Sequence, residues 1–132
     1  MSLPPHYILT EMDDKTTVAE LRKRFLKFIN DRDWKQFHNP KDVALDLATE
    51  VGEVLEHFKF KSNEEIKEIL ANPEKKKELS HEVADVLMAV LLLSDEIGID
   101  LTTAFNEKLR INEKKYPVGL SKGVNRKYTE LK

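Results

Sequence analysis

Residues 79–93 read LSHEVADVLMAVLLL, and this stretch decides the fold. Its apolar residues lack the strict alternation of a half-buried strand, and they belong to a helix that we expect from about Glu74 to Ile97, with Gly98 as its stop signal. The helix is apolar on nearly every face, so it must be covered on nearly every side. We therefore predict an all-α bundle that is completed by homo-oligomerisation.

Four further helices are predicted from the spacing of apolar residues and from residues that cap helix ends. Thr17 with Glu20, and Ser62 with Glu65, have the spacing of capping boxes. The predicted helices run over residues 17–33, 39–60, 62–72 and 100–116, in addition to the long helix. Residues 1–16 are interpreted as an N-terminal arm, and residues 17–132 as one domain with a basic, extended C-terminal tail.

The composition excludes several classes of function. The formal net charge of −2 gives no general attraction for nucleic acid or for an anionic membrane. The chain has no cysteine, so it has no disulfide, thiolate zinc site or thiol nucleophile. The longest apolar run, 86–93, is far too short to span a membrane, and the N-terminus lacks the pattern of a signal peptide. We expect a cytoplasmic protein.

Two pairs of carboxylates lie beside the apolar stripes of two different helices. Glu50 and Glu53 are three residues apart on the second helix, as Glu82 and Asp85 are on the long one. Residues at this spacing share a helix face, so the pairs converge if the two stripes pack together. Four converging carboxylates need protons or cations between them, and oxygen ligands select a hard ion such as Mg²⁺ or Mn²⁺.

The spacing of these carboxylates leaves other interpretations open. Carboxylates three residues apart are also common on solvated helix faces, where they bind nothing. A di-iron site of the ferritin-like kind would need Glu-x-x-His on two helices. Here His57 is four residues after Glu53, and His81 directly precedes Glu82. Both histidines, and Glu56 beside them, therefore fit ordinary polar positions better.

The carboxylate pattern resembles that of the MazG-like all-α nucleoside triphosphate pyrophosphohydrolases. Their signature is Glu-Glu-x-x-Glu followed, after a gap, by Glu-x-x-Asp. It matches Glu50, Glu53, Glu82 and Asp85, whereas Thr49 stands in the place of the first Glu. The chain looks most like the dCTP pyrophosphatase branch, through RDWKQFHNP at 32–40, INEKKYP at 111–117 and RKYTEL at 126–131.

The resemblance implies a Mg²⁺-dependent enzyme that converts dCTP, or a modified dCTP, to dCMP and diphosphate and so cleanses the nucleotide pool. The four carboxylates would hold Mg²⁺, with Mn²⁺ as a substitute, and Glu50 or Glu53 would also orient the attacking water. The branch further implies a homodimer or a homotetramer made of two dimers. The alternatives are a MazG-like enzyme that accepts several (d)NTPs, and a non-catalytic helical oligomer that binds nucleotides or a partner.

The resemblance also implies where the small-molecule substrate binds. Trp34, Phe37 and His38 match the family's base-binding segment, although aromatic residues there also suit simple packing between helices. For the triphosphate, the family likeness indicates Lys108, Asn112 and Tyr116, with Arg126 and Lys127 in the tail as weaker candidates.

Two substrate-site positions depart from the dCTP pyrophosphatase branch. Phe60 occupies a substrate-binding position where this branch has Trp, and Ala89 stands where it has Tyr. Both departures predict a selectivity for cytosine that is less strict than in the branch as a whole.

Overall fold

The computed structural model describes residues 12–132, and these are helical, with no β-strand among them. Residues 1–11 of the predicted N-terminal arm lie outside the described part of the chain. The α-helices are α1 (Val18–Asp31), α2 (Pro40–Glu56), α3 (Asn63–Ala71), α4 (Pro73–Ile97), α5 (Leu101–Lys115) and α6 (Val118–Ser121), with 3₁₀ turns at Lys35–Phe37 and Tyr128–Glu130. The all-α fold class is thus confirmed.

Side-chain caps fix the start of each long helix, as the sequence predicts. Thr17 accepts a hydrogen bond from the Glu20 amide while the Glu20 carboxylate accepts one from the Thr17 amide, at 3.1 and 2.8 Å. Ser62 forms the same capping box at the start of α3. Asn72 both ends α3 and accepts hydrogen bonds from two amides in the first turn of α4. These caps satisfy amides that have no partner within the helix.

The long helix α4 is the centre of the fold up to Gly98. It packs most extensively against α2, and also against α1 and α3. The buried residues of this core are Ile29, Val43, Leu79, Ala89, Leu91, Leu92 and Ser94. The predicted apolar stripes are only partly covered, since Val51 and Val83 stay 40% and 51% exposed. The three neighbouring helices α1, α2 and α3 together leave part of α4 uncovered.

A large apolar surface is left uncovered on α2 and α4. On α4 the exposed side chains include Leu87 and Met88, and on α2 they include Leu45 and Leu55. Leu55 is 60% exposed and Leu87 is 46% exposed. Large apolar patches on a protein surface commonly mark interaction sites.

Residues Ile99–Lys132 form a second compact unit. The prediction of an extended C-terminal tail was wrong in part, because this unit includes α6 and the 3₁₀ turn at Tyr128–Glu130. Tyr128 packs edge-on against Tyr116 at 6.1 Å between ring centroids, and the Lys115 ammonium lies 4.8 Å from the Tyr128 ring centroid. These contacts order a tail whose polar composition favours an extended chain.

Gly98 allows a prediction about the end of α4. Its φ of 69° lies in the left-handed region, and a Cβ added there would meet no atom within 4 Å. Only the backbone conformation therefore opposes a side chain, and we expect Gly98→Ala to destabilise the fold by about 1 kcal/mol. Chemical denaturation monitored by circular dichroism measures this loss.

Gly98→Asn is the matched control, because asparagine adopts the left-handed conformation more readily than alanine. It should lose clearly less stability than Gly98→Ala. Equal losses for the two variants would contradict the role of the conformation at Gly98 in ending α4.

Candidate metal centre and active site

The two predicted carboxylate pairs meet between α2 and α4. One oxygen atom from each of Glu50, Glu53, Glu82 and Asp85 lies within 4.8 Å of the others. Helical spacing aligns each pair on one face, and the packing of α2 on α4 turns the two faces towards each other. Glu50, Glu82 and Asp85 are half-buried at this contact, whereas Glu53 is exposed. We call these four residues the carboxylate cluster.

Burial and charge repulsion together disfavour the ionised form of Glu50. Burial raises the pKa of Glu50 to about 7, and the nearby charges of Glu53, Asp85 and Asp46 add to the effect. The Glu50 side chain is half-buried, and its Oε2 atom is buried. At neutral pH this carboxyl is thus divided between its protonated and ionised forms unless a cation is present.

Glu82 is disfavoured as an anion for a related reason. A hydrogen bond to the Glu53 carboxyl, which requires a shared proton, raises the pKa of Glu82, and burial and the charges of Glu53 and Asp85 raise it further. The charge of His57 opposes this shift in the pKa of Glu82. The two helices are therefore linked by carboxyl groups that must share either protons or cations.

The donor set of the cluster fits a hard divalent cation. Oε2 of Glu50 and Oε2 of Glu82 are buried and have no hydrogen-bond partner within residues 12–132. Buried carboxylate oxygens without a partner are costly, and a cation would satisfy them. All four residues offer oxygen, which suits Mg²⁺, Mn²⁺ or Ca²⁺ better than a soft ion.

The aromatic segment before α2 is folded as a single 3₁₀ turn. Trp34 packs edge-on against Phe28 of α1, at 5.7 Å between ring centroids, yet its side chain remains 44% exposed. Phe37 is 67% exposed and therefore contributes little to the core of the chain. The Nδ1 atom of His38 is buried and has no partner within the described residues. The segment thus has two exposed aromatic rings, those of Trp34 and Phe37, and one buried nitrogen atom, His38 Nδ1, without a hydrogen-bond partner in the described part of the chain.

Phe60 stands at the other end of α2 in a strained conformation. Its φ of 60° is unusual for a bulky residue, and its side chain is 95% exposed. The Lys59 ammonium lies 5.3 Å from its ring centroid. A fully exposed aromatic ring on a strained backbone brings nothing to the core, and such strain is common at ligand sites.

The helix α2 separates the two aromatic groups. Its 17 residues extend over about 25 Å, with His38 before its first turn and Phe60 beyond its last. The ring of a nucleobase is only a few ångströms thick. The two groups of one chain therefore cannot stack on the same base.

The predicted triphosphate-binding residues belong to the second compact unit. Lys108 and Asn112 lie one turn apart on α5, where Lys108 is exposed and Asn112 is half-buried. Tyr116 follows the last turn of α5 and packs on Tyr128. Arg126 and Lys127 are exposed in the tail.

The structure adds Asp46 to the residues that sequence reasoning identified. Asp46 lies one turn before Glu50 on α2 and acts electrostatically on it. Its spacing of four from Glu50 was the signal that could have revealed it. Thr49, in contrast, donates its hydroxyl hydrogen to the Leu45 carbonyl oxygen at 3.1 Å and stays exposed, so it does not replace the missing first Glu of the signature.

Comparison with known proteins agrees with this arrangement. The dCTP pyrophosphatase 1 of Rattus norvegicus is 37% identical over 115 residues, which cover 87% of this chain and 68% of the relative. The human dCTP pyrophosphatase 1 is 36% identical over the same shares of each chain. The crystal structure of a pyrophosphatase from Archaeoglobus fulgidus matches with a TM-score of 0.69 and 37% identity, over 75% of this chain and 91% of that one.

A model of the MazG-like family matches residues 47–131, which include the whole carboxylate cluster and all of the second compact unit except Lys132. None of the described helices is both long and apolar enough to cross a membrane. The resemblance that the two carboxylate pairs indicated is confirmed, and the chain belongs to the MazG-like family.

Proposed function

We propose that this protein hydrolyses the linkage between the α- and β-phosphates of dCTP, giving dCMP and diphosphate in the cytoplasm. The observation that carries the proposal is the carboxylate cluster, in which four oxygen donors from α2 and α4 lie within 4.8 Å of one another. The names of the mammalian relatives, which are 36–37% identical, support dCTP as the substrate. Membership of the family supports the type of reaction.

The cluster would hold Mg²⁺, or Mn²⁺ in its place, through Glu50, Glu53, Glu82 and Asp85. When bound, the cation supplies neutralisation of phosphate charge and polarisation of the scissile linkage. The chain positions the carboxylates by the packing of two long helices, so little rearrangement is needed when substrate arrives. Glu53 is the more exposed of the α2 pair, and we assign to it the orientation of the attacking water.

A broader nucleotide specificity is the second candidate function. The ring of Phe60 is smaller than the Trp of the dCTP pyrophosphatase branch. Ala89, which stands in the place of a Tyr, is buried in the core, so the broader specificity is argued from Phe60 alone. A looser base slot would accept other (d)NTPs or cytosines with a substituent at position 5. A non-catalytic oligomer that only binds nucleotides would have no need of four converging carboxylates, so the cluster favours an enzyme over this alternative.

Diphosphate release from a panel of triphosphates tests both functions. With Mg²⁺ present, we expect dCTP to be the best of the four common dNTPs and activity to be lost in excess chelator. Glu53→Gln and Asp85→Asn should each lower kcat by about a hundredfold or more, because each removes an oxygen anion that would face the cation. Circular dichroism should show an unchanged helix content.

Near-normal turnover in both of these variants at saturating Mg²⁺ would contradict the metal-centre assignment. Equal rates with all dNTPs would favour the broader specificity instead.

The raised pKa of Glu50 predicts how the metal-free protein responds to pH. This carboxyl has a pKa of about 7 in the folded chain and an ordinary value of 4.5, so its contribution to stability is complete below about pH 4.5 and is lost as pH rises through about 7. Between about pH 5 and 8, the free energy of unfolding should fall by about 1–2 kcal/mol more in the parent than in Glu50→Gln. Denaturant titrations in chelator measure this difference.

Adding Mg²⁺ at about pH 8 should restore stability to the parent and restore less to Glu50→Gln. Parallel pH profiles for the two proteins would show that Glu50 is not the group under strain.

We further propose that the active unit is a homodimer, or a homotetramer built from two dimers, in which two chains share each base slot. Two observations support this. Leu45 and Leu55 on α2, and Leu87 and Met88 on α4, leave an apolar surface uncovered in the single chain. The two aromatic groups at the ends of α2 are too far apart to reach one base, whereas Trp34 and His38 of one chain can meet Phe60 of another.

Mixed oligomers of two variants test the shared base slot. Trp34→Ala and Phe60→Ala should each lower kcat/KM by about tenfold or more, since stacking contributes about 1–3 kcal/mol per base. Suppose that each slot takes Trp34 from one chain and Phe60 from the other. About half of the dimers formed by co-expressed variants are then mixed, and one of the two slots in each mixed dimer has both parent residues. Co-expression should therefore recover about a quarter of the parent activity.

Co-expression of Glu53→Gln with Asp85→Asn is the control, because these residues face each other within one chain and no mixed pair restores a complete cluster. Light scattering should confirm that every protein is oligomeric. Recovery in the control, or none in the aromatic pair, would contradict the shared slot.

A further inference from the structure

Asp46 is a carboxylate beside the cluster that the proposed metal ligation does not use. It lies on α2, four residues before Glu50, so the two side chains are neighbours on the same face of the helix. Its negative charge acts on Glu50, as do the charges of Glu53 and Asp85. It is not among the four residues whose oxygens lie within 4.8 Å of one another. Asp46 therefore stands just outside the cluster.

Nothing in the described part of the chain balances the charge of Asp46. Within residues 12–132 its carboxylate makes no hydrogen bond and no ion pair, and its side chain is exposed. The other acidic residue of α2 before the cluster, Asp42, accepts a hydrogen bond from Asn39 and pairs with Lys41 at 3.3 Å. An unpaired carboxylate beside four others weakens the metal-free fold, because like charges at this spacing repel.

We infer that Asp46 is a positioning residue for the cation, which it would contact through the water molecules that complete the cation's coordination shell. The inference rests on the proposed metal centre. Mg²⁺ commonly keeps several waters when it binds to protein carboxylates, and those waters need hydrogen-bond acceptors around them. A carboxylate one helical turn from a ligand, exposed and without a partner, is a suitable acceptor, and such outer groups strengthen metal binding by about 10–100-fold.

Glu56 provides the comparison within the same helix. It lies three residues after Glu53, whereas Asp46 lies four residues before Glu50, so each is about one turn of α2 from an end of the cluster. Its carboxylate is exposed, but it pairs with the Lys59 ammonium at 3.8 Å. Its charge is not among those that raise the pKa of Glu50 or Glu82. Glu56→Gln therefore removes the same charge from the same helix without removing the carboxylate that acts on Glu50.

The test is Mn²⁺ binding to the nucleotide-free protein, followed by the electron paramagnetic resonance signal of the free ion, for the parent, Asp46→Asn and Glu56→Gln. We expect Asp46→Asn to bind Mn²⁺ about tenfold more weakly and Glu56→Gln to bind within about twofold of the parent. In chelator, Asp46→Asn should also melt at a higher temperature than the parent, because it relieves the repulsion.

The readouts separate the possible failures. If the parent binds no Mn²⁺, the proposed metal centre itself fails. If the parent binds Mn²⁺ and Asp46→Asn binds it equally well, the metal centre stands and the role of Asp46 is refuted. Equal weakening in Asp46→Asn and Glu56→Gln would also refute it, because the effect would then be that of net charge alone.

Discussion

The packing of two helices holds four carboxylates close together, and their mutual repulsion is the constraint on which the rest of the structure depends. Glu50 and Glu53 of α2 are pressed towards Glu82 and Asp85 of α4 by the core that the two helices share. Within residues 12–132, two of the buried oxygens at this contact have no hydrogen-bond partner. Burial and repulsion raise the pKa of Glu50 to about 7. The chain accepts a local cost in stability where it can bind a cation, as is common at active sites.

Much of this fold could be predicted because its signals are local. Capping residues such as Thr17, Ser62 and Asp100 begin helices wherever they occur, and Gly98 ends one, whatever the rest of the chain does. The carboxylate cluster was predictable for a similar reason, since a spacing of three places two side chains on one helix face. The two faces meet because the apolar stripes of the two longest helices pack together.

Other features depended on contacts that periodicity does not encode. Val51 and Val83 belong to apolar stripes, yet they are exposed because each helix has too few neighbours in one chain. The tail forms α6 and a 3₁₀ turn, and Tyr128 of that turn packs against Tyr116, a contact that helical periodicity does not predict. The strained backbone of Phe60 and the position of Asp46 beside Glu50 became visible only in three dimensions. Phe60 and Asp46 are also the residues on which the proposed shared base slot and the proposed positioning of the cation depend.

A crystal structure of the protein grown with Mn²⁺, with diffraction data collected at an X-ray energy where manganese scatters anomalously, tests the central claim most directly. The account predicts an anomalous peak between α2 and α4, with oxygens of the carboxylate cluster at distances normal for coordination, about 2.0–2.3 Å. A peak only at other sites, or an empty cluster in crystals grown with millimolar Mn²⁺ at about pH 8, would contradict the assignment of these four carboxylates as a metal centre.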